Sequence, residues 1–327
     1  MAKINNKDVL QSYILTTAKY DYSVHEKRIL YRLVELAQSE IEGLSFRAGD
    51  CKKIQHDLFG YVDIEMPISL ILLNEKDKNH TVAKRALEAL SQKYLIYEDD
   101  KVWEKINIVL SPKIEKFNSI IRFKLEPKIW DCMLDFSKGY RKYELKTAME
   151  FESEYSMRFY ELLSGQKTPL TYSVEQLKEM FNIEDKYKQI NDFTKRVIEP
   201  AKKELDAKSP YSFAYKPVKP SRKIVGFTFF PVYNPQHRDE DLETAELRKK
   251  VSPAWDLSRP VLQYLKHQFE FTSTEVKTHV ELFKNAQSGI DDFLLFLSKV
   301  KARANRAKNP KGYLINAIRK ELRQRQA

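Results

Sequence analysis

Apolar positions along the chain switch between two periods, and the switches mark out the elements. From Ser23 to Ser39, Ile29, Leu33 and Leu36, joined by Leu30, Val34 and Ala37, make one broad apolar face at helical spacing. Val62 to Leu73 reads as extended chain interrupted by Pro67. His80 to Tyr94 predicts a second helix, with Val82, Ala86 and Leu90 on one stripe and Ala83, Leu87 and Tyr94 on the adjoining one. Tyr94 to Tyr97, an Asp99-Asp100 turn and Val102 to Leu110 predict a hairpin, in which Val102, Ile106, Ile108 and Leu110 share a face at period two. Ile120 to Leu125 is a further strand, stopped by Pro127. A helix that runs straight into a two-stranded hairpin is the wing pattern of a winged helix.

The order then repeats. Ser153 to Leu163 is helical, with Tyr155, Phe159 and Leu162 on one side. Ser173 followed three residues on by Gln176 is a capping box for a short helix to Phe181. Asn182 to Asp185 forms a turn, and a long helix runs from about Lys188 to Ala207 with Phe193, Val197, Ala201 and Leu205 as its buried stripe. Pro200 deletes one backbone bond inside that helix and predicts a kink. Two strands follow, Tyr211 to Tyr215 and Ile224 to Phe230, joined by a Lys/Pro-rich tip. The openings of the two halves echo each other, Tyr22-Ser23-Val24 against Tyr155-Ser156-Met157, which reads as two related domains. Tyr233 to Pro253, with the acidic run Asp239 to Glu243, reads as a linker. Ser258–Phe269, Thr274–Asn285, Ile290–Asn305 and Pro310–Arg323 read as amphipathic helices of a small module.

Composition removes several function classes. The 327 residues suffice for two or three domains, and the absence of any run near the ~20 apolar residues of a spanning helix argues against a membrane protein. The start, Met1 to Lys7, lacks a signal-peptide core. Cys51 and Cys132 are too few for a disulfide scaffold, and the six histidines are scattered, so no zinc spacing arises and a reducing cytosol is the expected compartment. Gly165-Gln166-Lys167-Thr168 matches only the end of a phosphate loop and reads as a turn. Carboxylate pairs such as Asp99-Asp100 and Asp291-Asp292 fall at a turn and a helix start, where they solvate and cap. No catalytic constellation, cofactor motif or metal site is expected.

Charge points to a polyanionic partner. The formal net charge of +11 is concentrated: Lys299 to Ala327 holds ten basic residues and one acid, and Asp185 to Lys223 eleven basic and five acidic. A helix-turn-helix reader needs a scaffold helix, a turn and a second helix whose outward face carries donors. Opposite the Phe193/Val197/Ala201 stripe lie Lys188, Asn191, Lys195 and Lys202, with Arg196 at the edge and Lys186 near the helix start. Arg and Lys donate to guanine O6 and N7, and Asn pairs bidentately with adenine. Lys216, Lys219, Arg222 and Lys223 sit at the hairpin tip, placed like a wing touching phosphates. In the first domain, Lys84 and Arg85 are the exposed cations of the second helix, and the β-branched Val62–Leu73 segment is a candidate for pairing with another chain.

Several stretches resemble the iteron-binding plasmid replication initiator (Rep) proteins, the RepB/RepE-type initiator superfamily. They are Gly139-Tyr-Arg-Lys-Tyr-Glu-Leu-Lys-Thr-Ala148, Tyr155-Ser-Met-Arg-Phe-Tyr-Glu-Leu-Leu163 and Asp192-Phe-Thr-Lys-Arg-Val-Ile-Glu-Pro-Ala-Lys-Lys-Glu-Leu205, with Leu10–Ala37, Met66–Leu73 and His80–Tyr97 in the first domain. The resemblance covers about residues 8–232. It implies an α+β protein with two tandem winged-helix domains: residues 8–135 for dimerisation and backbone contact, and 136–232 for reading origin repeats. Residues 233–257 would be the acidic linker and 258–327 a basic helical extension, whose charge suggests an auxiliary DNA or host-protein contact. It further implies a non-enzymatic, cytoplasmic initiator that binds double-stranded origin DNA, dimerises as an autoregulatory repressor, and opens the origin for host initiator and helicase. Lys195 and Arg196 carry over as base-reading positions, while Thr194 stands where relatives can carry a further basic residue. The alternatives are a winged-helix repressor without origin function and a nicking or priming enzyme.

Overall fold

A computed structural model describes residues 6–41, 53–72, 79–98, 103–136, 139–220, 223–251 and 257–326. The first half contains β1 (Asp8–Ser12), α1 (Tyr13–Thr17), α2 (Val24–Ile41), β2 (Lys53–His56), β3 (Val62–Pro67) and α3 (Ser69–Leu72). It continues with α4 (His80–Gln92), β4 (Tyr94–Glu98), β5 (Trp103–Asn107), β6 (Leu110–Glu115), β7 (Ile120–Leu125) and α5 (Pro127–Leu134). The predicted helices and the antiparallel pair β4–β5 appear at the expected places, while the expected Asp99-Asp100 turn lies outside the described residues. The Val62–Leu73 segment does not stay extended: after Pro67 it folds into α3. β3 also lies inside a sheet of order β2-β3-β7-β6, so both its edges are occupied and it offers no ladder to a second chain. The Val102–Leu110 run divides as well, because Trp103–Asn107 pairs with β4 whereas Leu110 opens β6, which pairs with β7.

The second half contains β8 (Tyr140–Glu144), α6 (Leu145–Glu150), α7 (Glu154–Leu163), β9 (Leu170–Ser173) and α8 (Val174–Met180). A composite helix follows: α9 (Ile190–Phe193), a π-helical turn (Thr194–Ile198) and α10 (Glu199–Lys208). β10 (Tyr211–Val218) and β11 (Gly226–Tyr233) complete an antiparallel sheet of order β10-β11-β9. Pro200 does not simply kink the composite helix. Its missing N–H and bulky ring disrupt the preceding turn, and the turn widens so that the Glu199 N–H donates to the Thr194 carbonyl. The aromatic core beneath is centred on Phe159, whose ring lies 5.3, 5.0 and 5.4 Å from Phe181, Phe213 and Phe229.

Gly226 marks where β11 must approach β9 closely. A Cβ built there would stand 2.5 Å from the Tyr172 carbonyl oxygen. Gly226→Ala is therefore expected to cost about 1–3 kcal/mol through forced backbone displacement, read as a lowered urea midpoint.

Long-range contacts lace the two halves together. β1 pairs antiparallel with β8, from Asp8↔Glu144 to Ser12↔Tyr140. Between α2 and α7, the Lys27 ammonium (side chain 3% exposed) is ion-paired with Glu161 (0%). The same ammonium donates to the Tyr20 hydroxyl at 2.8 Å, and Tyr20 donates to Glu161 Oε2 at 2.9 Å. Burial pushes Lys27 down to about 8, against the opposing pull of the Glu161 carboxylate. Arg158 stacks its guanidinium 3.8 Å from the Tyr20 ring centroid and donates to the carbonyls of Ala18 and Met180 at 3.1 and 2.8 Å.

The stretch expected to be a linker carries α11 (Glu240–Val251). Its entrance is fixed by Arg238, buried and hydrogen-bonded to Asp8 at 2.9 Å and Glu144 at 2.6 Å. Beyond it α12 (Arg259–Gln268), α13 (Ser273–Thr278), α14 (Val280–Gly289), α15 (Phe293–Ala304) and α16 (Pro310–Gln326) enclose a separate core that includes Leu265, Phe283, Leu297, Leu314 and Ile318. That core also takes in Phe136, with Leu10 and Tyr140 packed against it, so the module is docked on the end of α5 and the β1–β8 ladder. No helix among the described residues is long and apolar enough to cross a membrane.

Candidate nucleic-acid interface

The scaffold of the candidate site begins at Ser173. Its Oγ accepts from the Gln176 N–H at 3.0 Å while Gln176 Oε1 accepts from the Ser173 N–H at 2.8 Å, so the capping box holds the start of α8. Residues 181–189 then connect α8 to α9, a longer passage than the four-residue turn expected from sequence. Phe181 and Ile183 are buried in it, and Lys178 Nζ donates to the Tyr187 carbonyl at 2.9 Å. Tyr187 takes a left-handed backbone (φ 51°) and sets its ring 6.5 Å from Phe193.

The composite helix buries Phe193, Val197, Ile198, Ala201 and Leu205 completely. Asn191, Lys195 and Arg196 are exposed on its outer side. Its carboxylates beyond the π turn are engaged within the fold. Glu199 accepts from the Tyr215 hydroxyl, and Asp206 accepts from Ser212 and pairs with Lys202. Glu204 accepts from the backbone N–H of Glu152 at 2.9 Å and pairs with Lys208 at 3.1 Å. Burial would raise the Glu204 carboxyl, but hydrogen bonds from the Glu152 backbone and from Lys208 help hold it below the usual range. Lys195, Arg196 and Lys203 are left with no ion pair among the described residues.

The expected site residues separate into groups on this geometry. Asn191, Lys195 and Arg196 share the outward side of the helix. Lys186 and Lys188 are exposed, but they precede the helix, which begins at Ile190 rather than Lys188. Lys202 is half-buried and tied to Asp206, so it does not join the outward set. On the wing, Lys216, Lys219 and Lys223 are exposed, Lys216 with its ammonium 5.6 Å from the Phe230 ring centroid; Arg222 lies outside the described residues. Lys84 and Arg85 are exposed on α4 of the other domain.

Gln189 and Lys203 are exposed neighbours of the site that sequence reasoning passed over. The signal for Lys203 was present. The buried residues 193, 197, 201 and 205 repeat every four positions, which drifts about 40° per step in a regular α-helix. A π turn absorbs the extra residue and moves the outward position from 202 to 203.

In each half a pair of helices precedes two antiparallel strands, and this makes the chain a tandem winged-helix protein. The chain matches the initiator replication protein WH1 model over residues 8–164 and the initiator Rep protein WH2 model over residues 173–230. It belongs to the initiator Rep protein family. In fold it is similar to the Pi initiator protein, solved as a crystal structure in complex with iteron DNA. The likeness has a TM-score of 0.51 at 16% identity and covers 69% of this chain and 97% of that one.

Proposed function

We propose that this chain is an origin-binding plasmid replication initiator that reads directly repeated duplex DNA with the α9–α10 helix. The observation that carries the reading is the set of outward donors Asn191, Lys195 and Arg196, the two cations making no ion pair among the described residues, above a fully buried apolar stripe and beside a basic wing. Asparagine and arginine side chains on such a helix offer the bidentate donors that adenine and guanine edges accept. Lys186, Lys188, Lys203 and the wing lysines supply phosphate contacts that set the register. Lys84 and Arg85 on α4 give the first domain a backbone contact of its own. The similar Pi initiator was solved on iteron DNA, which supports the same class of target.

In this reading the protein acts without catalysis or cofactor in the bacterial cytosol. It binds origin repeats, promotes opening of the adjacent duplex, and recruits host initiator and replicative helicase. A dimer made through the first domain serves as the autorepressing form. The test is a footprint of the purified full chain on the DNA flanking its own gene, against random DNA, across a salt series. Evenly spaced protection over direct repeats about two helical turns apart is expected. Protection of a single inverted repeat at the promoter alone would favour a repressor without origin function, and equal affinity for random DNA would overturn sequence reading altogether.

A further inference from the structure

The C-terminal module carries cations that the reading domains do not use. The two family matches end at residue 230, and α12–α16 form a core of their own. Leu314 and Ile318 of α16 are fully buried in that core, so the opposite side of the helix faces outward. On that side Asn316, Arg319, Lys320, Arg323 and Gln324 line one shallow surface depression. They stand at positions i, i+3, i+4, i+7 and i+8, one stripe about 12 Å long. On the packed neighbour α15, Lys299 and Arg303 are exposed at i and i+4, and Arg306 is exposed in the turn that follows.

The distribution of acids explains why this stripe is unneutralised. Glu321 is the single acid between Lys299 and the end of the chain. It pairs with Arg325 at 3.0 Å, and Asp291 pairs with the same guanidinium at 3.0 Å. Glu275 is taken by Lys311 at 2.8 Å. Arg319, Lys320 and Arg323 make no ion pair among the described residues. Holding several cations on one face raises the energy of the isolated protein by mutual repulsion, and a polyanion relieves it.

We infer that the α16 stripe, with the exposed cations of α15 and of the turn after it, forms a second duplex-DNA surface that grips the phosphate backbone without reading sequence. Guanidinium groups match phosphate geometry, and the flanking amides of Asn316 and Gln324 add neutral donors. An anionic lipid surface fits less well. A helix lying in a membrane needs an apolar face beside its cations, and the apolar residues of α16 are spent on the module's own core; Tyr313 is the one large apolar side chain of the module left substantially exposed among the described residues. Because the module is docked on α5 and the β1–β8 ladder, this second grip sits at a fixed offset from the reading helix and extends the DNA footprint beyond the repeat.

The inference rests on the initiator reading only for the choice of duplex DNA as the polyanion. The experiment uses the full chain carrying Arg319→Gln, Lys320→Gln and Arg323→Gln together. Anisotropy titrations on a repeat-bearing duplex and on a random duplex are run across a salt series, with circular dichroism melts as the folding control. The expected result is unchanged melting, a similar loss of roughly 10-fold or more on both duplexes, and a log K against log salt slope shallower by about 2–3, since each lost phosphate contact removes about 0.9. Wild-type affinity and slope on both duplexes would overturn the inference. So would loss of binding to phosphatidylcholine–phosphatidylglycerol vesicles with DNA binding intact. If the triple variant itself unfolds, the same titration with Lys299→Gln, Arg303→Gln and Arg306→Gln decides, with a shallower slope on both duplexes supporting the inference and wild-type behaviour overturning it. A wild-type chain that prefers no sequence yet shows the slope change would sink the origin-reading proposal and leave this surface standing.

Discussion

With Lys195 and Arg196 both replaced by alanine, affinity for the repeat-bearing DNA is expected to fall roughly 100-fold or more, from about 10-fold for each residue, while affinity for random duplex falls far less. Both side chains are exposed on the outward side of the composite helix, and neither makes an ion pair among the described residues. A donor that pairs with a base edge has its partner only when the base is right, so its removal costs more on the repeat than on random duplex and erodes discrimination. Anisotropy titrations on the two duplexes at one fixed salt concentration measure the difference. Equal losses on both would move the pair to the phosphate-binding set. Lys202→Ala is the internal contrast: its ammonium already pairs with Asp206, so discrimination should change little.

Glu161→Ala is expected to destabilise the protein by about 3–5 kcal/mol, the usual consequence of removing one partner from a buried ion pair. Lys27 would be left 3% exposed with its carboxylate gone, and Arg158, 3.8 Å from the same carboxylate, would lose its counter-charge too. Arg158 keeps the carbonyls of Ala18 and Met180, so the larger penalty falls on Lys27. The loss is read as a shift of the denaturant midpoint. Combining Lys27→Met with Glu161→Leu is expected to recover most of it, because an apolar pair of similar volume has no charge to desolvate. A double variant no more stable than Glu161→Ala would trace the loss to Tyr20 and Arg158, which lose the same carboxylate in both variants. Since Glu161 also accepts from Tyr20, next to the chain that leads to α2, loosening this cluster should loosen α2 against α7 before either winged helix melts.

Much of the candidate site was legible because it is written in local patterns. The Ser173/Gln176 box, the stripe of Phe193, Val197, Ala201 and Leu205, and the outward Lys195 and Arg196 each follow from spacing within one turn or one helix. Pro200 announced a disturbance, but not its form. A lost hydrogen bond admits either a bend or a widened turn, and the structure shows the widened turn, with Phe193 against Phe227 and Lys203 exposed. The first domain was less legible. Its Val62–Leu73 run alternates apolar and acidic residues as far as Met66 and is apolar from Ile68 on except for Ser69, and a short apolar run of that kind suits a strand and a buried helical turn alike; Val62–Pro67 pairs with β2 and β7 as a strand, whereas Ser69–Leu72 turns into a helix that buries Ile71 and Leu72.

The sequence by itself determined the main periods: the inward stripes of α2, α4, α7 and the α9–α10 helix, the cap at Ser173, and that basic charge gathers in the α9–wing region and the C-terminal module. Tertiary structure alone decided what lies between elements distant along the chain. The pairing of β1 with β8, the anchoring of the acidic stretch by Arg238, and the burial of Lys27 against Glu161 all join residues more than 90 positions apart. Periodicity carries no information about such partners, because a local pattern reports only that a face must be covered. Which face covers it is settled by chain closure and by the need of each buried charge for an opposite one.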